Sequence, residues 1–235
     1  MDTQTRHALK KDNFALATAT SVSWLSGHRS AVLSWGIAAV AVVVVGAAAL
    51  IYWNIRSSAA EAALGAAMDV YTSPLGQPGA PAAEGVYTTA SDRTKAANRQ
   101  FMDVAHQYGW LPEGAKAHYF AGVTYEDLGQ DAQAESELKA AAGSRDQNLS
   151  NLAKLAMASL DHQKGQDSEA IALYNELAAK PSVTVPATMA QLDLADLYAE
   201  TGKQEQARML WAKVKDADKD GAAGAIAAQK LAPGQ

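Results

Sequence analysis

Two hydrophobic patterns divide the chain. Residues 31–53 read AVLSWGIAAVAVVVVGAAALIYW, which is 23 positions without a charge. Beyond residue 57 the apolar positions instead recur every three or four residues among polar ones. That period predicts amphipathic helices. These helices are punctuated by a pattern that occurs three times. Gly129-Gln130-Asp131-Ala132-Gln133-Ala134 is followed by Gly165-Gln166-Asp167-Ser168-Glu169-Ala170 and by Gly202-Lys203-Gln204-Glu205-Gln206-Ala207. The glycines stand 36 and then 37 residues apart. Each is expected to end one helix in the left-handed conformation. The Ala five residues on falls in the next helix, where a small side chain lets two helices approach. A period of this length signals a solenoid of helix hairpins, so the fold class is all-α.

The uncharged run is expected to cross a membrane. At about 1.5 Å per residue it spans about 34 Å, against a hydrocarbon core of about 30 Å. Trp35 lies near one end and Tyr52 and Trp53 at the other, where interfacial aromatics sit. Ala47-Ala48-Ala49 resembles a signal-peptidase site, but the run starts late and is longer than a signal peptide's apolar region. An uncleaved anchor is therefore expected. Arg6, Lys10, Lys11 and Arg29 outnumber Asp2 and Asp12 before it, while from Ser57 onward there are 15 basic and 23 acidic residues. The positive-inside rule puts the N-terminus in the cytoplasm and the C-terminal part outside it. In the tail, Phe14, Ala17, Val22 and Leu25 would share one helical face. That pattern fits an interfacial helix, and the interspersed Thr and Ser fit a disordered tail equally well.

The spaced positions of the C-terminal part resemble the tetratricopeptide repeat (TPR) family. Gly122, Tyr125, Gly129, Ala134, Leu138 and Ala141 match in a first unit. Ala158, Gly165, Ala170 and Tyr174 match in a second, with Asp161 where the pattern expects an aromatic. Leu194, Ala195, Tyr198, Gly202, Ala207 and Trp211 match in a third. Tyr125, Leu138, Tyr174, Leu194, Tyr198 and Trp211 are expected in the core, since a hairpin buries its apolar stripe only by stacking on its neighbours. His118 replaces a position often held by Trp and is expected to be packed or half-buried. Upstream, 92–110 reads as a helix that pairs with a helix over 57–71, continuous with the span. Between them, 72–85 is a Pro- and Gly-rich loop containing Pro78-x-x-Pro81.

Composition narrows the chemistry. The 235 residues include no Cys, 20 Lys plus Arg and 25 Asp plus Glu, for a net charge of -5. Disulfides and thiolate chemistry are excluded, and an acidic chain without a long basic run is a poor nucleic-acid binder. His7, His28, His106, His118 and His162 show no metal-ligand spacing, and no catalytic or phosphate-binding motif occurs. No catalytic, cofactor or metal residue, and no small-molecule substrate, is expected. Asp216-x-Asp218-x-Asp220-Gly221 matches half of an EF-hand loop, but its twelfth position is Ala227 rather than a bidentate Glu. The favoured reading is a turn in which Asp220 caps a helix over 221–231. Weak Ca²⁺ binding is the lesser alternative.

The remaining candidate site is the groove lined by the first helix of each hairpin. Helical phase assigns it Tyr119, Val123, Leu155, Ser159, Met189, Leu192 and Asp196. That set is mostly apolar and suits an extended or helical hydrophobic peptide. The expected organisation is a cytoplasmic tail over 1–30, a span over 31–53 and a continuing helix and loop over 54–91. TPR-like repeats over 92–215 and a capping helix and tail over 216–235 complete it. Within the TPR family, this arrangement resembles the ancillary subunit of the bacterial SecYEG translocon. The resemblance implies a single-pass inner-membrane protein with a periplasmic repeat domain that binds the translocon, client polypeptides or periplasmic chaperones. Anchored TPR scaffolds for cytochrome maturation, cell division or surface-organelle assembly share the same architecture.

Overall fold

The computed structural model describes residues 29–76 and 86–232. The expectations for the N-terminal tail and for Pro78-x-x-Pro81 lie outside the described residues. Every ordered element among those described is a helix. They are α1 (Arg29–Thr72), α2 (Ala90–Tyr108), α3 (Pro112–Asp127), α4 (Asp131–Ala142), α5 (Gln147–Gln163), α6 (Asp167–Ala179), α7 (Ala187–Glu200), α8 (Gln204–Ala217) and α9 (Ala222–Leu231). The chain divides into two units, Met1–Ile55 and Arg56–Gln235.

In the first unit, α1 is long and apolar enough to cross a membrane. Every side chain from Leu33 to Ile55 is exposed, including Trp35, Ile37 and Val42 through Val45. A row of exposed valines and isoleucines is costly in water and costs nothing in hydrocarbon.

In the second unit, the remaining part of α1 serves as the first helix of a hairpin with α2. Ala60, Ala63, Leu64, Ala67, Met68 and Tyr71 form a stripe at helical spacing that packs on α2 and α3. The small Ala60 and Ala67, both fully buried, admit the larger Phe101, Val104 and Tyr108 of α2. Phe101 stacks on Phe120 with centroids 5.3 Å apart and meets the edge of Tyr71 at 6.1 Å. Asn98 answers the polar groups that this packing buries, donating to Ala121 O at 3.2 Å and to Thr124 Oγ1 at 3.0 Å.

The helix over 92–110 begins two residues earlier than its periodicity suggested. Thr89 is its N-cap, and its Oγ1 accepts from Asp92 N at 3.1 Å. It ends at Tyr108 because Pro112 opens the next helix at its first turn, after a break over 109–111. The ends of the Pro-rich segment are held together. Gly76 N donates to Tyr87 O at 2.9 Å, and Arg93 Nη1 donates to Ser73 O at 2.8 Å.

Three further hairpins follow: α3/α4, α5/α6 and α7/α8. Their turns are the same structure built three times. Gly129, Gly165 and Gly202 have φ of 67°, 74° and 77°. After each, the next N–H reaches back five residues: Gln130 to Tyr125 O at 2.9 Å, Gln166 to Asp161 O at 2.7 Å, Lys203 to Tyr198 O at 2.7 Å. This is the Schellman closure, which satisfies carbonyls a helix end leaves orphaned. Ala134, Ala170 and Ala207 are fully buried against the preceding helix. Gly122 makes the approach of α3 to α4 closer still, since a Cβ there would lie 2.6 Å from Leu138 Cγ.

Leu138, Tyr174, Leu194 and Trp211 are buried, whereas Tyr125 and Tyr198 pack half-exposed against the same clusters. His118 is half-buried and bridges α3 to α4 through Nδ1 and Glu137 Oε2 at 2.6 Å. Asp161 is buried where an aromatic was expected by the repeat pattern, and desolvation raises its carboxyl above the ordinary range. At the end of the stack, α9 packs on α7 and α8 through Ala223, Ala227 and Leu231. Its start corrects the assignment of Asp220 as the cap. Gly221 is the N-cap, and Asp218 Oδ2 accepts from Gly224 N at 3.2 Å. Ala227 is fully buried, so the twelfth position of the half EF-hand loop offers a packed methyl and no ligand.

Candidate peptide-binding cleft

The first helices of the three hairpins share a face, and between them lies a cleft of about 420 Å³. This is within the size range of sites that hold small ligands or a few side chains, roughly 300–1,000 Å³. Helix α3 contributes Tyr119 and Glu126. Helix α5 contributes Leu152, Leu155, Ala156, Ser159 and His162, spaced as one helical stripe. Helix α7 contributes Asp193, Asp196, Leu197 and Glu200, and Tyr174 enters from α6.

Of the residues assigned from helical phase, Tyr119, Leu155, Ser159 and Asp196 come together here. Val123, Met189 and Leu192 do not. Val123 packs with Ala134, Leu138 and Leu160 between α3, α4 and α5. Leu192 is 8% exposed and packs with Trp211 and Val214 of α8. Met189 is exposed, one turn before Asp193 and beyond the cleft. The error is one of phase. Helix α7 buries Leu192, Leu194, Ala195 and Leu197 against neighbours on several sides, so its apolar positions mark no single face. The residue facing the cleft is Asp193, the one after Leu192.

The cleft also has a different character from that expected of it. Its floor is apolar, but Glu126, Asp193, Asp196 and Glu200 line it and no Lys or Arg does. Three of these carboxylates are engaged. Gln163 Nε2 donates to Glu126 Oε1 at 2.8 Å. Trp211 Nε1 donates to Asp196 Oδ1 at 3.0 Å, and Lys230 pairs with Oδ2 at 3.2 Å. His162 holds Glu200 through Nε2 at 2.9 Å and Asp167 through Nδ1 at 2.7 Å. Asp193 has no hydrogen bond or ion pair among the described residues. Burial, and then the charge of Asp196, push its carboxyl up to about 6. Burial first, then Asp193 and Glu200, raise the Tyr174 phenol well above its ordinary value. Tyr119 is shifted the same way by burial and by Glu126. Both phenols therefore remain neutral donors. A legible signal for this acidity was present in the sequence: α3 ends in Glu126-Asp127 and α7 in Glu200, just before two of the repeated glycines.

His162 gives the stack a pH dependence. The hydrogen bonds that its imidazolium donates, first to Glu200 and then to Asp167, raise its pKa. The imidazolium ties α5 to the start of α6 and to the end of α7. With the folded pKa above the unfolded value of about 6.5, the stabilisation is complete below that value and is lost as pH rises through the folded pKa. Solvent screens the partly exposed groups, so we expect His162→Gln to cost about 0.5–1 kcal/mol at pH 5.5. The difference should close by about pH 9, where the imidazole is neutral. Denaturant titrations at the two pH values check this, and a cost that is the same at both would rule it out.

No protein-family model and no curated protein sequence matches the chain. A solved structure does match it: the nearly identical TPR-like repeats of a Podosopora anserina protein designated a kinesin light chain. The identity is 16% and the TM-score 0.50, over 60% of this chain and 76% of that one. The likeness is one of fold. Together with three glycine-closed hairpins stacked through buried alanines, it establishes this chain as an all-α protein with TPR-like helical repeats.

Proposed function

We propose that the chain is a membrane-tethered protein-interaction module that holds a polypeptide segment in the cleft of its repeat domain. The observation that carries this reading is the cleft itself, built from the first helices of three successive hairpins, in a chain that also contains the uncharged run of 31–53. Apolar floor and polar walls suit side chains of a peptide better than a metal or a reacting group. Among the described residues no group of three or more His, Asp or Glu side chains is arranged to hold a metal ion. The span fixes the module at the membrane and raises its effective concentration for partners there, so weak binding in the cleft suffices. The charge bias of the flanks supports a cytoplasmic N-terminus and a repeat domain on the periplasmic side of a bacterial inner membrane. The resemblance in architecture makes an accessory role at the Sec translocon the leading assignment, with client or chaperone polypeptides as occupants. Another envelope assembly process is the alternative.

The test is site-specific crosslinking in vivo from a photoreactive residue at Ser159. Ser159 lines the cleft and belongs to no core cluster, so replacing it leaves the packing intact. Crosslinks to SecY or to nascent secreted chains are the expected result. Crosslinks to components of a different envelope machine would move the module there. Crosslinks confined to the chain itself would refute an open cleft.

A further inference from the structure

We infer that the cleft selects a basic side chain flanked by apolar ones, with the Asp193 carboxylate and the Tyr174 hydroxyl receiving the cation. The inference rests on the reading of the cleft as a peptide seat and names the chemistry of its occupant.

Two independent observations point to the same place. Asp193 is the one carboxylate of the cleft without a hydrogen bond or ion pair among the described residues, and the other three are already engaged. Tyr174 is only 6% exposed and lines the same cleft. Its hydroxyl likewise has no hydrogen-bond partner among the described residues. Neither polar atom is sealed from solvent, so both stay open to a partner that enters the cleft. An ammonium or guanidinium would satisfy both at once, since the carboxylate and the phenol oxygen each accept. Ionising Asp193, partly desolvated and beside Asp196, is uphill without a cation, as the carboxyl's rise to about 6 records. A bound cation removes that penalty. Leu152, Leu155 and Leu197 supply the apolar contact for the residues on either side.

The occupant is a partner polypeptide rather than this chain's own undescribed segments. Residues 77–85 and 233–235 contain no Lys or Arg. The basic residues of 1–28 lie across the bilayer in the proposed topology. Charge complementarity therefore points outward.

The experiment uses the full chain in detergent and fluorescence anisotropy at pH 7.5. The probes are a labelled nonapeptide of alternating Leu and Lys, its Leu–Glu counterpart and its Ser–Lys counterpart. The Leu–Lys peptide is expected to bind at least about tenfold more tightly than either. Asp193→Asn should weaken it about tenfold and Tyr174→Phe about threefold. Each variant is its own control against peptide adsorbed to detergent. Folding is checked separately. Asp193→Asn should raise the melting temperature by about 2–4 °C at pH 8, because it removes an unpaired, half-buried charge beside Asp196. That gain should vanish below about pH 4, where the carboxyl is protonated in both states. Equal binding of the Leu–Glu peptide, or binding unchanged by Asp193→Asn, overturns the inference. Absence of binding by any peptide, with Ser159 still crosslinking to a partner, overturns it while leaving the interaction module standing. Failure of both removes the module as well.

Discussion

Phe101→Ala is expected to lower the stability of the repeat domain by about 3–5 kcal/mol. Phe101 is fully buried between Tyr71 and Phe120, so truncation leaves a cavity whose walls are held by three helices. The loss also removes two aromatic contacts. Because each hairpin rests mainly on its neighbours, the damage should be local. Hydrogen exchange should accelerate in α2 and α3 well before it does in α8, and thermal unfolding by circular dichroism should broaden as the two ends separate. Equal acceleration along the whole stack would mean that the repeats melt as one cooperative block.

Gly122→Val is expected to cost about 2–4 kcal/mol through overpacking. A Cβ at Gly122 lies 2.6 Å from Leu138 Cγ and 2.8 Å from Cδ2, contacts that a change of Leu138 rotamer eases only in part. The Leu138 backbone nitrogen at 3.1 Å cannot move aside, so α3 and α4 must separate. The separation should also disturb Tyr119 and Glu126, which reach the cleft from α3. A double-mutant cycle isolates the contact. Leu138→Ala alone should cost about 2–5 kcal/mol, and Gly122→Ala with Leu138→Ala should cost less than the sum of the two single changes. Strict additivity in urea titrations would show that the two residues do not press on each other.

These two sites differ in how much the sequence revealed of them. Gly122 and Leu138 belong to a spaced set that repeats with the turn glycines, and so does the burial of Ala134, Ala170 and Ala207. Repetition makes such positions legible, because three weak signals in one register outweigh any single one. Phe101 lies in the helix read over 92–110, outside the repeated set, where no second copy in register picks it out. Its partner is Phe120, and the alanines that make room for it lie in α1, beyond an insert whose length no period predicts. The cleft was legible in part for a related reason. In α5, Leu152, Leu155, Ser159 and His162 keep one helical phase along the cleft, and phase placed Leu155 and Ser159. Helix α7 is surrounded on several sides, so the choice between Leu192 and Asp193 depends on packing with α8 and α9. The acidity was missed because an Asp in a helix reads as solvated surface until its neighbours are known.

The clasp at the base of the Pro-rich segment has a practical consequence. Gly76 and Tyr87 share a backbone hydrogen bond, and Arg93 reaches Ser73 beside it, so the two strands of chain meet before the insert begins. For a connection closed at its base in this way, each doubling of length adds only about 0.6 kcal/mol of closure entropy. Such a closed connection is a suitable place to insert an epitope or a reporter peptide. A reporter peptide inserted between Gly76 and Tyr87 is expected to leave the melting temperature of the repeat domain nearly unchanged.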